Sequence, residues 1–178
     1  EGLGGNDTLT GSSFVDHLLG GDSNDTMSAG AGDGEIKGGL GVDTMTGGLG
    51  DDIYLAGEAG DVVPEVAAEG NDTVQASVTY TLSANVEKLT LTGTSDINGT
   101  GNTLNNLIVG NDGANTMYGG DGTDTLQGGA SEDLLKGGDG NDTMYGGDGK
   151  DRMYGNDDKD MLFGEAGNDT FVLEIGTG

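Results

Sequence analysis

The stretch GGDGNDTMYGGDGKDRMYG (residues 137–155) contains two nearly identical nine-residue units, each with a glycine pair, an aspartate at the sixth place and an apolar residue at the eighth. On an α-helix, nine residues make two and a half turns, so successive apolar residues would point to opposite sides. On a single long strand the odd spacing has the same effect. The spacing therefore favours a coil in which each unit makes half a turn and directs its apolar residue into a shared interior.

The pattern extends over most of the chain. Fifteen units fit, seven from Gly2 onward and eight from Gly101 to Val172. All their eighth places are apolar: Leu9, Leu18, Met27, Ile36, Met45, Tyr54, Val63, Ile108, Met117, Leu126, Leu135, Met144, Met153, Leu162 and Phe171. We predict an all-β fold with 18 residues per coil, in which stacked coils pair as parallel strands about 4.8 Å apart. The last three residues of each unit should form a strand and the first six a turn.

The composition limits the partners of the chain. Its 178 residues include 39 glycines and no cysteine, and 32 acidic against 6 basic residues give a net charge of −26. Repulsion argues against nucleic acid and anionic membranes, so cations are the expected partners. Disulfides and thiolate metal sites are excluded. No apolar run is long enough to span a bilayer, and Glu1 and Gly2 do not resemble a signal peptide. Because the chain begins and ends within the pattern, we expect it to be part of a longer protein.

The sixth place of the units is acidic, with aspartate in twelve of the fifteen. Stacked coils place these carboxylates above one another, and their repulsion opposes folding. A divalent cation between them would reverse the sign of that interaction. Oxygen ligands without cysteine favour Ca²⁺ over transition metals. An acidic turn that binds nothing specific would scatter its aspartates among the turn positions, whereas here one place is fixed.

The units GGDGTDTLQ (119–127) and GGDGNDTMY (137–145) resemble the repeats-in-toxin (RTX) nonapeptide GGxGxDxUx, where U is a large apolar residue, of the hemolysin-type calcium-binding proteins. The resemblance covers nearly the whole chain and is strict from 119 to 154. It implies a right-handed parallel β-roll with calcium between turns one coil apart. It also implies secretion by the type I route from Gram-negative bacteria.

The resemblance further implies a ligand set for each ion: the sixth-place aspartate with the second- and fourth-place carbonyls of one turn, and the sixth-place aspartate with the first- and third-place carbonyls of the turn 18 residues on. On one edge of the second block this gives Asp124 and Asp142 with Gly120, Gly122, Gly137 and Asp139, then Asp142 and Asp160 with Gly138, Gly140, Gly155 and Asp157. On the opposite edge it gives Asp133 and Asp151 with Gly129, Ser131, Gly146 and Asp148, then Asp151 and Asp169 with Gly147, Gly149, Gly164 and Ala166.

The first block is less regular. One edge keeps its aspartates, so we expect three more pairs, with the carbonyls of Asp22, Gly39 and Gly41 among the ligands: Asp7 with Asp25, Asp25 with Asp43, and Asp43 with Asp61. The other edge is interrupted at Gly34, which leaves Asp16 and Asp52 without a full partner. In the second block, Asn106 and Asn115 keep an oxygen but lose the charge, so neighbouring ions should bind more weakly.

Four segments are expected: a first block at 1–63, a β-rich insert at 64–100, a second block at 101–172 and a tail at 173–178. The insert contains the runs VQASVTYTL (74–82) and NVEKLTLTG (85–93), in which apolar and polar residues alternate and predict two strands. We expect these strands to continue or cap the stack rather than to form a flexible linker.

No catalytic motif of the GxSxG, GK[ST] or HExxH type is present, and the single histidine, His17, falls at an outward place. We therefore predict no enzyme activity in this segment. The preferred hypothesis is a calcium-binding module of a larger secreted bacterial protein that folds when it meets Ca²⁺ outside the cell. Two alternatives stay open. One is a polysaccharide-contacting accessory module of a secreted enzyme such as an alginate epimerase, lipase or protease. The other is a passive extender of an adhesin or surface-layer protein. Expected partners are calcium, other domains of the parent chain and, under the first alternative, extracellular polysaccharide.

Overall fold

The structure is a computed structural model that describes residues 1–172, so the tail predicted at 173–178 lies outside the described residues. Residues 1–172 contain 19 β-strands and no helix. None of these residues forms a helix that could cross a membrane. The chain divides into two compact units: unit 1 comprises Glu1–Val78 and Leu82–Lys88, and unit 2 comprises Thr79–Thr81 and the described residues from Leu89.

Unit 1 contains two parallel sheets. Numbered in chain order, the strands of one are β1 (Leu3–Gly4), β3 (His17–Asp22), β5 (Glu35–Leu40), β7 (Ile53–Ala56) and β8 (Thr73–Ala76). The strands of the other are β2 (Thr8–Thr10), β4 (Thr26–Ala31) and β6 (Thr44–Leu49). From β1 to β7 odd and even strands alternate between the sheets, as half-turn units require, and β8 pairs directly with β7.

Unit 2 repeats this arrangement. One sheet contains β12 (Leu107–Val109), β14 (Thr125–Ala130), β16 (Thr143–Gly149) and β18 (Met161–Gly167). The other contains β9 (Tyr80–Thr81), β11 (Gly99–Thr100), β13 (Thr116–Asp121), β15 (Leu134–Asp139), β17 (Arg152–Asn156) and β19 (Thr170–Val172). The strand β10 (Lys88–Leu91) lies where the two units divide.

The pairing register confirms the predicted coil length. Met117 pairs with Leu135 and Leu126 with Met144, each 18 residues on and in parallel. The chain is therefore a parallel β-solenoid with about nine turns of about 18 residues, as the nonapeptide predicted. The predicted division of each unit was wrong in one respect. Regular strands such as β13 run from the seventh place into the third place of the next unit, because pairing continues through the glycine pair, as between Gly120 and Gly138.

The core is the column of eighth-place side chains. Twelve of the fifteen are buried: Leu18, Met27, Ile36, Met45, Tyr54, Val63, Ile108, Met117, Leu126, Leu135, Met144 and Met153. Each contributes about 1.5–3 kcal/mol on burial. Leu9 and Leu162 are half-buried and Phe171 is 46% exposed, because β2, β18 and β19 are the outermost strands of their sheets among the described residues.

The insert was predicted correctly in its second strand but not in its first. β10 falls within the predicted run 85–93. The run 74–82 is divided instead, because the chain bends at 77–78. β8 pairs with β7 in unit 1, whereas β9 pairs with β11 in unit 2. Tyr80 and Leu82 are buried again after the bend, so the alternation of apolar residues continues across it and does not reveal the break.

Candidate metal sites between the coils

The sixth-place aspartates form ladders along the edges of the coils. The backbone N–H of Asp124 donates to Oδ1 of Asp142 at 2.8 Å, and the N–H of Asp133 donates to Oδ1 of Asp151 at 2.8 Å. The same bond joins the other predicted pairs: Asp142 to Asp160, Asp151 to Asp169, Asp7 to Asp25, Asp25 to Asp43 and Asp43 to Asp61. All seven pairs predicted from the sequence are therefore in register, one coil apart.

The second carboxylate oxygen of most of these residues is buried and receives no hydrogen bond within residues 1–172; we call it the unpaired oxygen. It is the Oδ2 of Asp7, Asp25, Asp43, Asp124, Asp133, Asp142 and Asp151. The first-place glycine makes room for it, since a Cβ on Gly119 would collide with Oδ2 of Asp124. A buried carboxylate oxygen without a donor costs several kcal/mol, so this arrangement calls for a proton or a cation.

Burial and the neighbouring negative charges disfavour the ionised form of the carboxylates in the ladder. Burial raises the pKa of Asp124 to about 6 and that of Asp133 to about 7, partly offset by the backbone N–H donors of Asn106 and Asn115. The charges of Asp142 and Asp151 contribute to these raised pKa values. Burial also raises the pKa of Asp43, Asp142 and Asp151. Without a counter-ion, the ladder therefore holds its negative charge at a cost.

In the turns of the second block, backbone carbonyls face the glycines of the neighbouring coils. A Cβ on Gly138 would collide with the carbonyl oxygen of Gly120, and one on Gly140 would collide with that of Gly122, so both carbonyls face the following coil. The carbonyl of Gly137 faces back, 2.5 Å from the Cβ position of Gly119. On the opposite edge the carbonyls of Gly129, Ser131 and Gly149 face Gly147, Gly149 and Gly167, and those of Gly146 and Gly164 face back to Gly128 and Gly146.

The third-place carbonyls also face the preceding coil but already accept a hydrogen bond there. The N–H of Gly122 donates to the carbonyl of Asp139 at 2.8 Å, and the N–H of Gly5 donates to that of Asp22 at 3.1 Å. A carbonyl oxygen has a second lone pair, so this bond leaves one position for a cation. Pairing along the strands aligns two other third-place residues, Asp148 and Ala166.

The turn at 155–160 keeps the backbone shape although its second and fourth places are not glycine. Asn156 and Asp158 have φ values of 70° and 76°, which asparagine and aspartate tolerate better than most residues. A Cβ on Gly155 would collide with Oδ2 of Asp160, as at the other first places. Asp160 and Asp169 are half-buried, because they belong to the outermost turns of the described chain. The predicted ligand Asp157 is exposed between these positive-φ residues.

In some turns, the side-chain oxygen of the sixth-place residue accepts a hydrogen bond from a backbone N–H of the same turn. The N–H of Asn102 donates to Oδ1 of Asn106 at 2.7 Å, and that of Asn111 donates to Oδ1 of Asn115 at 2.9 Å. Asn115 Nδ2 donates in turn to the carbonyl of Ile97 at 2.6 Å. We call the turn around each sixth-place residue a corner. At this corner the side-chain amide of Asn115 supplies a hydrogen-bond donor, which an aspartate cannot supply.

In two turns of the first block, donors of the same turn likewise form hydrogen bonds to the sixth-place carboxylate. Ser12 donates from its N–H and hydroxyl to Oδ2 of Asp16, at 2.7 and 2.9 Å. Gly57 and Glu58 donate from their N–H groups to Oδ2 of Asp61, at 3.0 and 3.1 Å. The predicted pair of Asp43 and Asp61, with the carbonyls of Gly39 and Gly41, thus has one carboxylate whose oxygens are both occupied.

One ladder contact was missed by sequence reasoning. The N–H of Asp52 donates to Oδ1 of Asp72 at 2.9 Å, so the expectation that Asp52 is left without a full partner was wrong. Asp72 lies 20 residues on, because this coil is two residues longer, and a strict nine-residue frame does not find it. The signal was present in the tetrapeptide GNDT at 70–73, which recurs at 140–143.

The donor set fits a hard cation. In the described part of the chain, no three histidine, cysteine, aspartate or glutamate side chains converge on one point. An ion between two coils would therefore combine two carboxylates with several carbonyl oxygens. Ca²⁺ takes six to eight oxygen ligands in flexible geometry, whereas transition metals prefer nitrogen or sulfur.

Stacked coils with paired aspartates and facing carbonyls define the class of calcium-binding β-rolls. A family model for the RTX calcium-binding nonapeptide repeat matches four times, at residues 1–36, 32–63, 100–135 and 136–171. The chain belongs to this family. A search of curated proteins found no match. RTX repeats bind Ca²⁺ as a family property, their domain is a structural rather than catalytic module, and the family is typical of secreted proteins.

Proposed function

We propose that this chain is a calcium-triggered folding module of a larger secreted bacterial protein, and that each ion is held between sixth-place aspartates one coil apart. The observation that carries this proposal is the unpaired oxygen, repeated at seven of the predicted ligands. Each such oxygen could serve as a ligand to a cation, together with turn carbonyls that face the neighbouring coil. The net charge of −26 adds a general repulsion that bound calcium would reduce.

The second block is the stronger part of the proposal. Its four sites pair Asp124 with Asp142, Asp142 with Asp160, Asp133 with Asp151, and Asp151 with Asp169. Of these, the sites that include Asp160 or Asp169 should be weaker, because those carboxylates are only half-buried. In the first block we expect ions at Asp7 with Asp25 and at Asp25 with Asp43. The pair of Asp43 and Asp61 should be the weakest, since the turn already satisfies Asp61.

Calcium binding and folding are then one process. The ligands of each site come from two coils and are assembled only when the coils stack, so the binding energy contributes directly to folding. An ion present at 100 times its dissociation constant stabilises the folded chain by about 2.7 kcal/mol, and several ions add. A chain that is unfolded at low calcium could pass an exporter and would fold outside, where calcium is abundant.

A calcium titration of the calcium-free chain, followed by far-UV circular dichroism, tests the proposal. We expect a disordered spectrum in chelator and a cooperative gain of β signal with calcium. Magnesium at equal concentration should be a poor substitute, because it requires a tighter octahedral geometry and loses its water reluctantly. A β spectrum that is already complete in chelator and does not change with calcium would overturn the proposal.

A further inference from the structure

A group of buried carboxylates in unit 1 lies largely outside the family pattern. Asp52, Glu65 and Asp72 are 1%, 8% and 1% exposed. Glu65 and Asp72 fall between the matched segments 32–63 and 100–135. Two oxygens of this group, Oδ2 of Asp52 and Oε2 of Glu65, are buried and have no hydrogen-bond partner in the part of the chain that the structure describes. The mechanism of the regular corners does not account for Glu65, which no nonapeptide place requires.

The corner at Asp52 and Asp72 repeats the regular ladder at a different spacing. Gly34 donates from its N–H to Oδ1 of Asp52 at 2.6 Å, Asp52 donates to Oδ1 of Asp72 at 2.9 Å, and Asp72 donates to Oε2 of Glu87 at 2.8 Å. One oxygen of Asp52 is thereby used in the ladder, as at Asp142, and the other remains unpaired. The two extra residues of this coil therefore leave the ladder intact.

The carbonyl lining is also preserved. A Cβ on Gly70 would collide with the carbonyl oxygen of Gly50, so this carbonyl faces the following coil. The N–H of Gly50 donates to the carbonyl of Glu69 at 2.8 Å, which therefore faces back. The regular corner has the same two features at Gly122 and Asp139. Ala68 even takes a positive φ of 66°, as the second-place glycines do.

Glu65 is held beside this corner by a tyrosine. Tyr54 is fully buried, and its hydroxyl donates to Oε1 of Glu65 and accepts from the N–H of Gly47 at 2.7 Å. The same N–H lies 3.1 Å from Oε1 of Glu65. A Cβ on Gly47 would collide with both the Tyr54 hydroxyl and Oδ2 of Asp52, so these two groups share one small space.

The charges that act on this corner are all negative. Glu65 acts on Asp52 and on Asp72, together with Asp33 and Asp51 at Asp52 and with Glu87 at Asp72. Burial and these neighbours raise the pKa of Asp52 to about 6 and that of Asp72 to about 7. A divalent cation is the partner that would relieve both the burial and the repulsion.

We propose that this corner is a calcium site of its own, in which Asp52, Asp72 and the carbonyls of Gly50 and Glu69 hold the ion and Glu65 adds a third negative charge beside it. The inference rests on the proposed function, because it assumes that the regular corners bind calcium. A third negative charge close to the ion adds to the attraction that the two ligand carboxylates exert on it. The site should therefore release its ion at lower free calcium than the corners with two carboxylates.

Equilibrium dialysis of the full chain against radioactive calcium tests the proposal. Asp72→Asn keeps the Oδ1 acceptor for the Asp52 amide but removes the charge, so the variant should bind one ion fewer than the parent chain. Glu65→Gln keeps the acceptor for Tyr54 and should weaken the tightest site by about tenfold without changing the number of ions. Asp112→Asn is the matched control, since Asp112 is exposed, lies in unit 2 and is not among the charges that act on Asp52 or Asp72; its binding should equal that of the parent chain.

The outcomes separate this proposal from the general one. If the parent chain binds several ions and the Asp72 and Glu65 variants bind the same number with the same affinities, this site is refuted while the proposed function stands. If the parent chain binds no calcium, the proposed function fails and this site fails with it. Should Asp72→Asn fail to form β structure in saturating calcium, the affinities of the Glu65→Gln variant decide the question.

Discussion

The backbone nitrogen of Asp124 lies 2.8 Å from Oδ1 of Asp142, while Oδ2 of Asp142 is buried without a hydrogen-bond partner among the described residues. The two oxygens of one carboxylate therefore have different tasks. Oδ1 fixes the register between two coils, and Oδ2 remains unpaired beside Gly137, the first-place glycine of its own unit. Because one side chain carries both tasks, the stacking of the coils and the formation of a cation site cannot be separated.

Asp142→Asn should weaken calcium-dependent folding more than substitution of a residue in a single pair, because Asp142 belongs to two pairs, with Asp124 and with Asp160. The asparagine keeps the Oδ1 acceptor but removes the charge. We expect the calcium concentration at the midpoint of the circular dichroism transition to rise about tenfold or more. Asp139→Asn is the control, since its side chain is exposed and only its carbonyl faces the preceding coil; an equal shift in both variants would show that net charge alone is responsible.

Asn115→Asp should make the turn around residue 115 depend on calcium, because its side chain now forms hydrogen bonds that need no ion. The change removes the amide that donates to the Ile97 carbonyl at 2.6 Å and places a charge in a buried position. At a calcium concentration just sufficient for folding, we expect a loss of about 1–3 kcal/mol in the free energy of unfolding. Saturating calcium should restore part of this loss. Thermal denaturation at the two calcium concentrations measures both, with the exposed Asn105→Asp as the control.

Gly119→Ala should disturb a corner without changing any charge. Its Cβ would collide with Oδ2 of Asp124 and lie 2.5 Å from the carbonyl oxygen of Gly137, so the carboxylate or the neighbouring coil must move. We expect both lower thermal stability and weaker calcium binding. Gly57→Ala is the control, because the nearest atom to its Cβ is 3.6 Å away. Equal behaviour of the two variants would mean that the first-place glycine is not needed for the carboxylate.

Acid should favour the calcium-free coil. Burial raises the pKa of Asp124 to about 6 and that of Asp133 to about 7, above the ordinary aspartate value of about 3.9 in the unfolded chain. The folded state therefore binds these protons more tightly. Their stabilising contribution is complete below about pH 4 and is lost as the pH rises through about 6 to 7. Far-UV circular dichroism of calcium-free protein should show more β structure at pH 5 than at pH 8; less β structure at pH 5, or no difference, would contradict the role of these buried carboxyls.

With saturating calcium the pH dependence should be the reverse, since calcium binds the deprotonated carboxylates and competes with protons. Calcium affinity should therefore fall from pH 8 to pH 5. The two pH profiles therefore distinguish protonation of a carboxylate oxygen from calcium binding at the same oxygen. Identical pH profiles with and without calcium would show that the ion binds elsewhere.

The sequence was most informative where the nine-residue period is unbroken. The eighth-place core and the 18-residue spacing of Asp124 and Asp142 follow from a repeat that half-turn geometry converts directly into position. Asp72 was missed because two additional residues shift it out of that frame, although its GNDT segment is a local mark of the same turn. The role of Glu65 could not be inferred, since it depends on a contact with Tyr54 across the interior.

Other differences arise from the ends and from the insert. Phe171 occupies an eighth place but remains 46% exposed, because burial requires a neighbouring coil and the period alone does not say whether one is present. The repeat does not show why the first place is glycine, whereas in the folded chain the absence of a Cβ on Gly119 makes room for the carboxylate of its own unit. Such steric requirements become visible only when the coils are stacked.

The most direct measurement is an anomalous difference map from crystals grown in calcium. We expect peaks between Asp124 and Asp142 and between Asp133 and Asp151, each within ligand distance of carboxylate and carbonyl oxygens from two consecutive coils. Well-ordered turns in saturating calcium with no peak between these carboxylates would contradict the conclusion that an ion joins the coils there.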